Sequence, residues 1–207
     1  MEKIVKHKTE TGAGDDISIM GGISQIKKIY GLVHPNTDWF DSHEELVSRW
    51  RDYSGLIKQV SEDKSSVLVF VGTATSDTLD KLRHLDEGVA RRLSVELPKL
   101  NDQQRNELKQ TLKDRGIHIK DNARYSFLEE LSLIHGAVIS IEPDRLLYFE
   151  SSIDEKVIGD RLGDKINNRT IGIYFRGEKP DVCVDDQGKK LCEALGIEKE
   201  RLRISWD

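Results

Sequence analysis

Val67-Leu68-Val69-Phe70-Val71 is the longest uninterrupted apolar run in the chain, entered through Ser65-Ser66 and left through Gly72-Thr73. A run of strand length that ends in turn chemistry reads as a buried strand at the centre of a sheet. It falls far short of the ~20 apolar residues that a bilayer-crossing helix needs. A strand of this kind needs covering layers, and the flanking sequence supplies amphipathic helices.

Leu46, Trp50, Tyr53, Leu56, Ile57 and Val60 recur at three- and four-residue steps. They predict a helix over 42–61, capped by Asp41 or Ser42 and carrying Glu44-Glu45 in its first turn, where the helix dipole favours acids. Leu108 and Leu112, between Asn101 and Gly116, predict a second helix over 101–115. Asp121 or Asn122 caps a third, over 122–135, which runs through Leu128, Leu131 and Ile134 and stops at Gly136. Ahead of these, Ile23, Ile26 and Ile29 are spaced by three, which favours a helical turn slightly over a strand.

Beyond Gly136 the composition shifts. Ala137–Ile141 and Arg145–Phe149 predict a strand pair around the turn residues Glu142-Pro143-Asp144. A helix over 153–166, strands over 169–175, 182–184 and 202–206, and a helix over 188–195 complete the pattern. The expectation is an α/β fold: a mixed or mainly parallel sheet flanked by helices, as a main domain over 1–136, with a smaller α/β or α+β portion over 137–207.

The 207 residues carry 32 Lys+Arg against 37 Asp+Glu, a net charge of −5, so the molecule as a whole does not steer toward nucleic acid. Cys183 and Cys192 are the only cysteines, at a spacing that fits neither a CxxC zinc site nor a disulfide framework, and the six histidines show no HxxxH or HExxH spacing. With no apolar region behind Met1-Glu2-Lys3, the expectation is a cytoplasmic protein without a membrane partner.

Residues 67–136 carry a family resemblance. A hydrophobic strand leaving into Gly72-Thr73, a short helix, Arg91-Arg92, a strand into Leu97-Pro98-Lys99-Leu100, a helix, Ile117-His118-Ile119 and a helix ending at Gly136 together resemble the sensor, arginine and lid half of AAA+ ATPases. The resemblance implies that Thr73 matches the polar sensor at the strand exit. It implies that Arg91 or Arg92 matches the arginine that points at a neighbouring subunit's nucleotide phosphate. No GxxxxGK[ST] precedes this region: Thr11-Gly12-Ala13-Gly14-Asp15-Asp16 has the glycines but no Lys, and its two acids repel phosphate. The resemblance therefore implies a non-enzymatic interaction or regulatory module, binding a protein partner, a second copy of itself as a homo-oligomer, or a nucleotide completed by a partner.

A second expectation belongs to a different class. Asp15 and Asp16, two glycines, then Gln25-Ile26-Lys27 resemble the hairpin of Mg²⁺-dependent PD-(D/E)xK nucleases, in which a carboxylate holds the metal and the Lys steadies the attacking water. The helix with an acid that normally comes before this hairpin is missing. Together with the acidic balance, this ranks nuclease action and a nucleic-acid partner below the binding module. Tyr174-Phe175-Arg176-Gly177, on a strand, has residues suited to stacking and clamping a base, although the neighbouring acids count against a polyanion there.

Overall fold

The structure is a computed structural model and describes residues 26–35, 43–117, 127–177 and 180–204. Five strands, β1 (Lys28–Val33), β2 (Ser66–Gly72), β3 (Leu146–Glu150), β4 (Gly172–Gly177) and β5 (Leu202–Ile204), form one sheet in the order β3-β2-β1-β4-β5. Every pairing in it is parallel. The fold is α/β, as the sequence predicts, and β2 lies between two neighbours with all seven residues buried.

Parallel neighbours need crossover connections, and these carry the helices. α1 (His43–Glu62) joins β1 to β2; α2 (Ser76–Arg83), α3 (Glu87–Arg91), α4 (Asp102–Asp114) and α5 (Phe127–Ser140) lie between β2 and β3. Their apolar sides, with Leu56, Val60, Leu82, Val89, Leu108 and Leu131, pack on Tyr30, Leu32, Leu68 and Phe70 on one face of the sheet. α6 (Glu155–Leu162) and α7 (Asp185–Leu195) cover the other face, where Ile158, Leu162, Leu191 and Leu195 meet Ile29, Val33, Val69, Ile173 and Phe175. The chain therefore changes face between β1 and β4, which is the topological switch point of the sheet.

Several local expectations are corrected. Ala137–Ile141 does not form a strand paired with 145–149: α5 runs through Gly136 to Ser140, and β3 lies parallel to β2. Gly costs a helix only about 1 kcal/mol relative to Ala. Leu131, Ile134, Ala137 and Ile141, buried at helical spacing, outweigh that cost. The expected boundary at Gly136 thus falls inside a helix, and strands from both sides of it share one sheet. Residues 28–33 form a strand instead of the favoured helical turn, because Ile29, Leu32 and Val33 are buried by neighbours on both sides. Arg92–Lys99 is a π-helical turn followed by a 3₁₀ turn, with Leu93 and Leu97 buried four residues apart, where a strand was expected. Pro180–Val184 is likewise a π-helical turn. The expected caps at Asp41, Ser42, Asp121 and Asn122 lie outside the described residues, as do His118 and Ile119.

At the N-terminal edge, Arg145 ties this layering together. Its guanidinium is buried and donates to the carbonyls of Val60, Asp63 and Ser66 at 2.8 to 2.9 Å and of Ser61 at 3.3 Å, and to the Glu142 carboxylate. The last turn of a helix leaves carbonyls without partners, and here one cation from the start of β3 satisfies the end of α1 and the entry to β2. Among the described residues no helix is long and apolar enough to cross a membrane.

Candidate functional site

On the face covered by α1 to α5, the core takes no residue from β4 or β5 among the described residues. Paired residues of parallel strands stand on the same face, so the register decides what that open area carries. Lys28, Tyr30 and Leu32 of β1 stand opposite Gly172, Tyr174 and Arg176 of β4, and Tyr174 stands opposite Arg203 of β5. The open area therefore holds two tyrosines among three cationic residues.

Tyr30 and Tyr174 are stacked, with ring centroids 5.3 Å apart and ring planes 24° from parallel. Tyr30 is buried, and its hydroxyl accepts a hydrogen bond from Gln59 Nε2 of α1 at 2.9 Å. Tyr174 remains 39% exposed, among the few large apolar side chains so placed. Its ring leans over Gly172, where an added Cβ would come within 2.7 Å of a ring carbon, so glycine is what lets the ring lie there.

Lys28 Nζ lies 3.3 Å from Asp63 Oδ2, and that hydrogen bond, reinforced by the Tyr30 hydroxyl, raises its pKa above the ordinary lysine value. Burial raises the pKa of Tyr30, while Lys28 and Arg176 pull it back, which places both cations within electrostatic reach of its oxygen. Arg203 donates to the Glu200 carbonyl at 2.7 Å, which ties its side chain to the turn before β5. A ring face beside fixed cations can stack a planar heterocycle and pair with an anion attached to it.

Arg176 brings the area near the C-terminal end of the sheet at the switch point, where open α/β sheets bind ligands, while Lys28 opens β1 at the other end. Two non-glycine residues there have left-handed backbone, His34 at φ 43° after β1 and Ser151 at φ 74° after β3. His34 N–H donates to the Val71 carbonyl at 2.7 Å and Ser151 N–H to the Gly72 carbonyl at 2.9 Å, so three strand exits are laced together. Burial lowers the pKa of His34, and a hydrogen bond with the Ser151 backbone works against that shift. Gly177, at φ 152°, closes the β4 exit against the Val33 backbone, where a Cβ would sit 2.0 Å from the carbonyl oxygen.

The residues singled out by the sequence lie elsewhere and apart. Thr73 uses both its N–H and its hydroxyl to donate to Glu130 Oε1, at 2.7 and 2.8 Å, which fastens the exit of β2 to α5. Arg91 is exposed and pairs with Glu96 at 2.9 Å, whereas Arg92 donates to the Gln104 carbonyl at 3.1 Å and lies 3.9 Å from Glu107. Lys27 is exposed just before β1, at the opposite edge of the sheet from the switch point, with its N–H bound to the Ser65 carbonyl. Asp15, Asp16 and Gln25 lie outside the described residues. Among the described residues no group of three His, Cys, Asp or Glu side chains could hold a metal ion.

Of the open face, the sequence shows Tyr174 and Arg176 as alternate residues of one strand, while Lys28, Tyr30 and Arg203 belong to no motif. The signal that was available is the same alternation in Lys28-x-Tyr30. With this geometry in view, no protein-family model matches the chain, nor does any curated protein or solved structure.

Proposed function

We propose that the chain is a binding module that takes a nucleotide on its open sheet face, in an interaction or regulatory role. The base stacks on the exposed part of Tyr174, and the phosphate pairs with Arg176 and Arg203. The observation that carries this reading is Tyr174, stacked on buried Tyr30 and itself 39% exposed, with Lys28, Arg176 and Arg203 on the same face. A buried aromatic pair would need no cations around it, and a solvated cation cluster would need no stacked rings.

The geometry favours this face over the positions taken from the AAA+ resemblance. Thr73 spends its donors on Glu130, and Arg91 and Arg92 spend theirs on their own chain. A phosphate held by a partner would have to displace these contacts; on the open face Arg203 would give up its bond to the Glu200 carbonyl, and no core contact would be lost.

Titration with nucleoside triphosphates in one arm and short single-stranded oligonucleotides in the other, followed by tyrosine fluorescence, tests the reading and tells a free nucleotide from a strand. Saturable binding is expected. Tyr174→Ala should weaken it roughly 10- to 100-fold, the usual effect of losing one stacking ring, and Arg176→Gln should lower the salt dependence by about one charge. Absence of saturable binding in both arms at low salt, or equal affinity in Tyr174→Ala, would overturn it.

A further inference from the structure

On the outer side of α1, away from the tyrosine face, α1 and α5 leave a groove of about 240 Å³. Trp50, Ile57, Leu133 and Ile139 give it apolar walls, Lys58 stands at it, and Ser94 of the π-helical turn lines it. Ile139 is 58% exposed, so this apolar wall faces water. α1 separates the two areas: its Gln59 reaches Tyr30 on one side, while Trp50, Ile57 and Lys58 line the groove on the other.

Ser94 Oγ lies 2.7 Å from His135 Nδ1. The π-helical turn accounts for this placement. Leu93 and Leu97 are buried at either end of the widened turn, while Ser94 between them remains partly exposed against α5. π-Helical insertions of this kind recur at functional positions. His135 is buried, and burial lowers its pKa, so the imidazole is neutral at pH 7 and keeps a lone pair for a proton. In the tautomer with its hydrogen on Nε2, Nδ1 accepts the Ser94 hydroxyl. A serine hydroxyl that reaches an open groove while bonded to a neutral imidazole is the arrangement of an activated nucleophile.

We propose that Ser94 and His135 are a nucleophile and its base, acting on a carboxylic ester whose apolar acyl group lies between Trp50, Ile57, Leu133 and Ile139. Ser94 Oγ bonds to the carbonyl carbon as its proton passes to His135 Nδ1. The bond from that carbon to the leaving alcohol then breaks, and His135 returns the proton to the departing alkoxide. Water repeats the sequence on the acyl-serine: His135 takes a proton from the water, the carboxylic acid leaves, and the Ser94 hydroxyl is restored. No metal, oxidant or reductant enters the balance. The inference stands independently of nucleotide binding on the tyrosine face.

The test is to treat the full chain with an alkyl fluorophosphonate, in which serine attack on phosphorus expels fluoride, and to locate the adduct by intact mass and peptide mapping. One adduct is expected, on the peptide holding Ser94, and none in Ser94→Ala. His135→Gln should label at least about 100-fold more slowly, as loss of a general base predicts, with thermal melting confirming that the variant is folded. p-Nitrophenyl butyrate should be hydrolysed by the unsubstituted chain and by neither variant. No adduct, an adduct on another residue, or an unchanged labelling rate in folded His135→Gln overturns the proposal. Where Gln at position 135 prevents folding, the site of the adduct in the unsubstituted chain decides.

Discussion

Two aromatic pairs stand on the same face of the sheet: one lies under the helices, and the other straddles their edge, with Tyr30 buried beside α1 and Tyr174 exposed. Phe70 and Tyr148 join β2 to β3, with ring centroids 5.5 Å apart and planes at 31°; Tyr30 and Tyr174 join β1 to β4 at 5.3 Å and 24°. The pairing geometry is nearly the same, and the environment differs. Under α5 the Tyr148 hydroxyl accepts the Ala74 N–H at 2.8 Å, and burial pushes its pKa far above the ordinary tyrosine value. Outside, Tyr174 keeps exposed surface and cations as neighbours. A cross-strand aromatic pair becomes structural or available to a ligand according to whether a helix covers it, and the strand sequence alone does not carry that information.

The sharpest way to break the comparison is to truncate one ring from each pair. Phe70→Ala empties a fully buried position and should destabilise the protein by about 3–5 kcal/mol. Tyr174→Ala removes a partly exposed ring and should cost about 1 kcal/mol or less, while weakening the proposed nucleotide binding roughly 10- to 100-fold. Urea denaturation of both variants, alongside the binding titration, checks the contrast. Equal losses of stability would mean that the open pair is as structural as the covered one.

A smaller effect separates the two tyrosine hydroxyls. Tyr148→Phe leaves the N–H of fully buried Ala74 without its acceptor and should cost about 1–3 kcal/mol. Gln59→Leu takes the donor from the Tyr30 hydroxyl, which lies at the edge of the open area, and should cost less than about 1 kcal/mol. Urea midpoints of the two variants should fall in that order, and the reverse order would place the more tightly held hydroxyl on the open side.

These contrasts show where the sequence was legible. The run Val67–Val71 announced a buried strand because all of its side chains are apolar, and α1 and α4 announced themselves by spacing and by the acids or caps at their starts. Residues 137–141 misled because α5 is apolar nearly all round, and a short apolar run reads as strand or buried helix with equal ease. The open face stayed hidden for a different reason. Lys28-x-Tyr30 and Tyr174-x-Arg176 lie about 145 residues apart in sequence, and only a parallel register brings them level. No local signal encodes which two strands flank the switch point. The Ser94–His135 pair is equally illegible, since the stretch after Arg92 leading into Leu97-Pro98-Lys99-Leu100 reads as a strand, which would turn Ser94 differently from a π-helical turn.

The smallest predicted effect concerns the edge that joins the two halves of the sheet. Asp63, ahead of β2, accepts from the Ser65 and Ser66 hydroxyls at 2.7 Å and, across to β1, from Lys28 at 3.3 Å. These bonds, the two serines first, hold its pKa far below the usual carboxylate range. Glu142 is held down to about 2 by Lys64 first and by Arg145 next. A carboxylate whose folded pKa lies below its unfolded value adds stability above the unfolded pKa and loses it as pH falls through the folded one. The loss should begin near pH 4.5, where unfolded carboxylates start to bind protons, and continue toward pH 2. Both carboxylates are partly exposed, at 30% and 45%, so solvent screens much of the effect. A fall in Tm of about 2–4 °C attributable to Glu142 is therefore expected between pH 5 and pH 2.5. Thermal melts of the unsubstituted chain and of Glu142→Gln across this range measure it. The variant should start lower at pH 5 and fall less, because it has already lost the charge that acid removes. Parallel curves would show that the Arg145 clamp holds through its four carbonyls alone, and that the seam between the covered and open halves does not depend on the charge of Glu142.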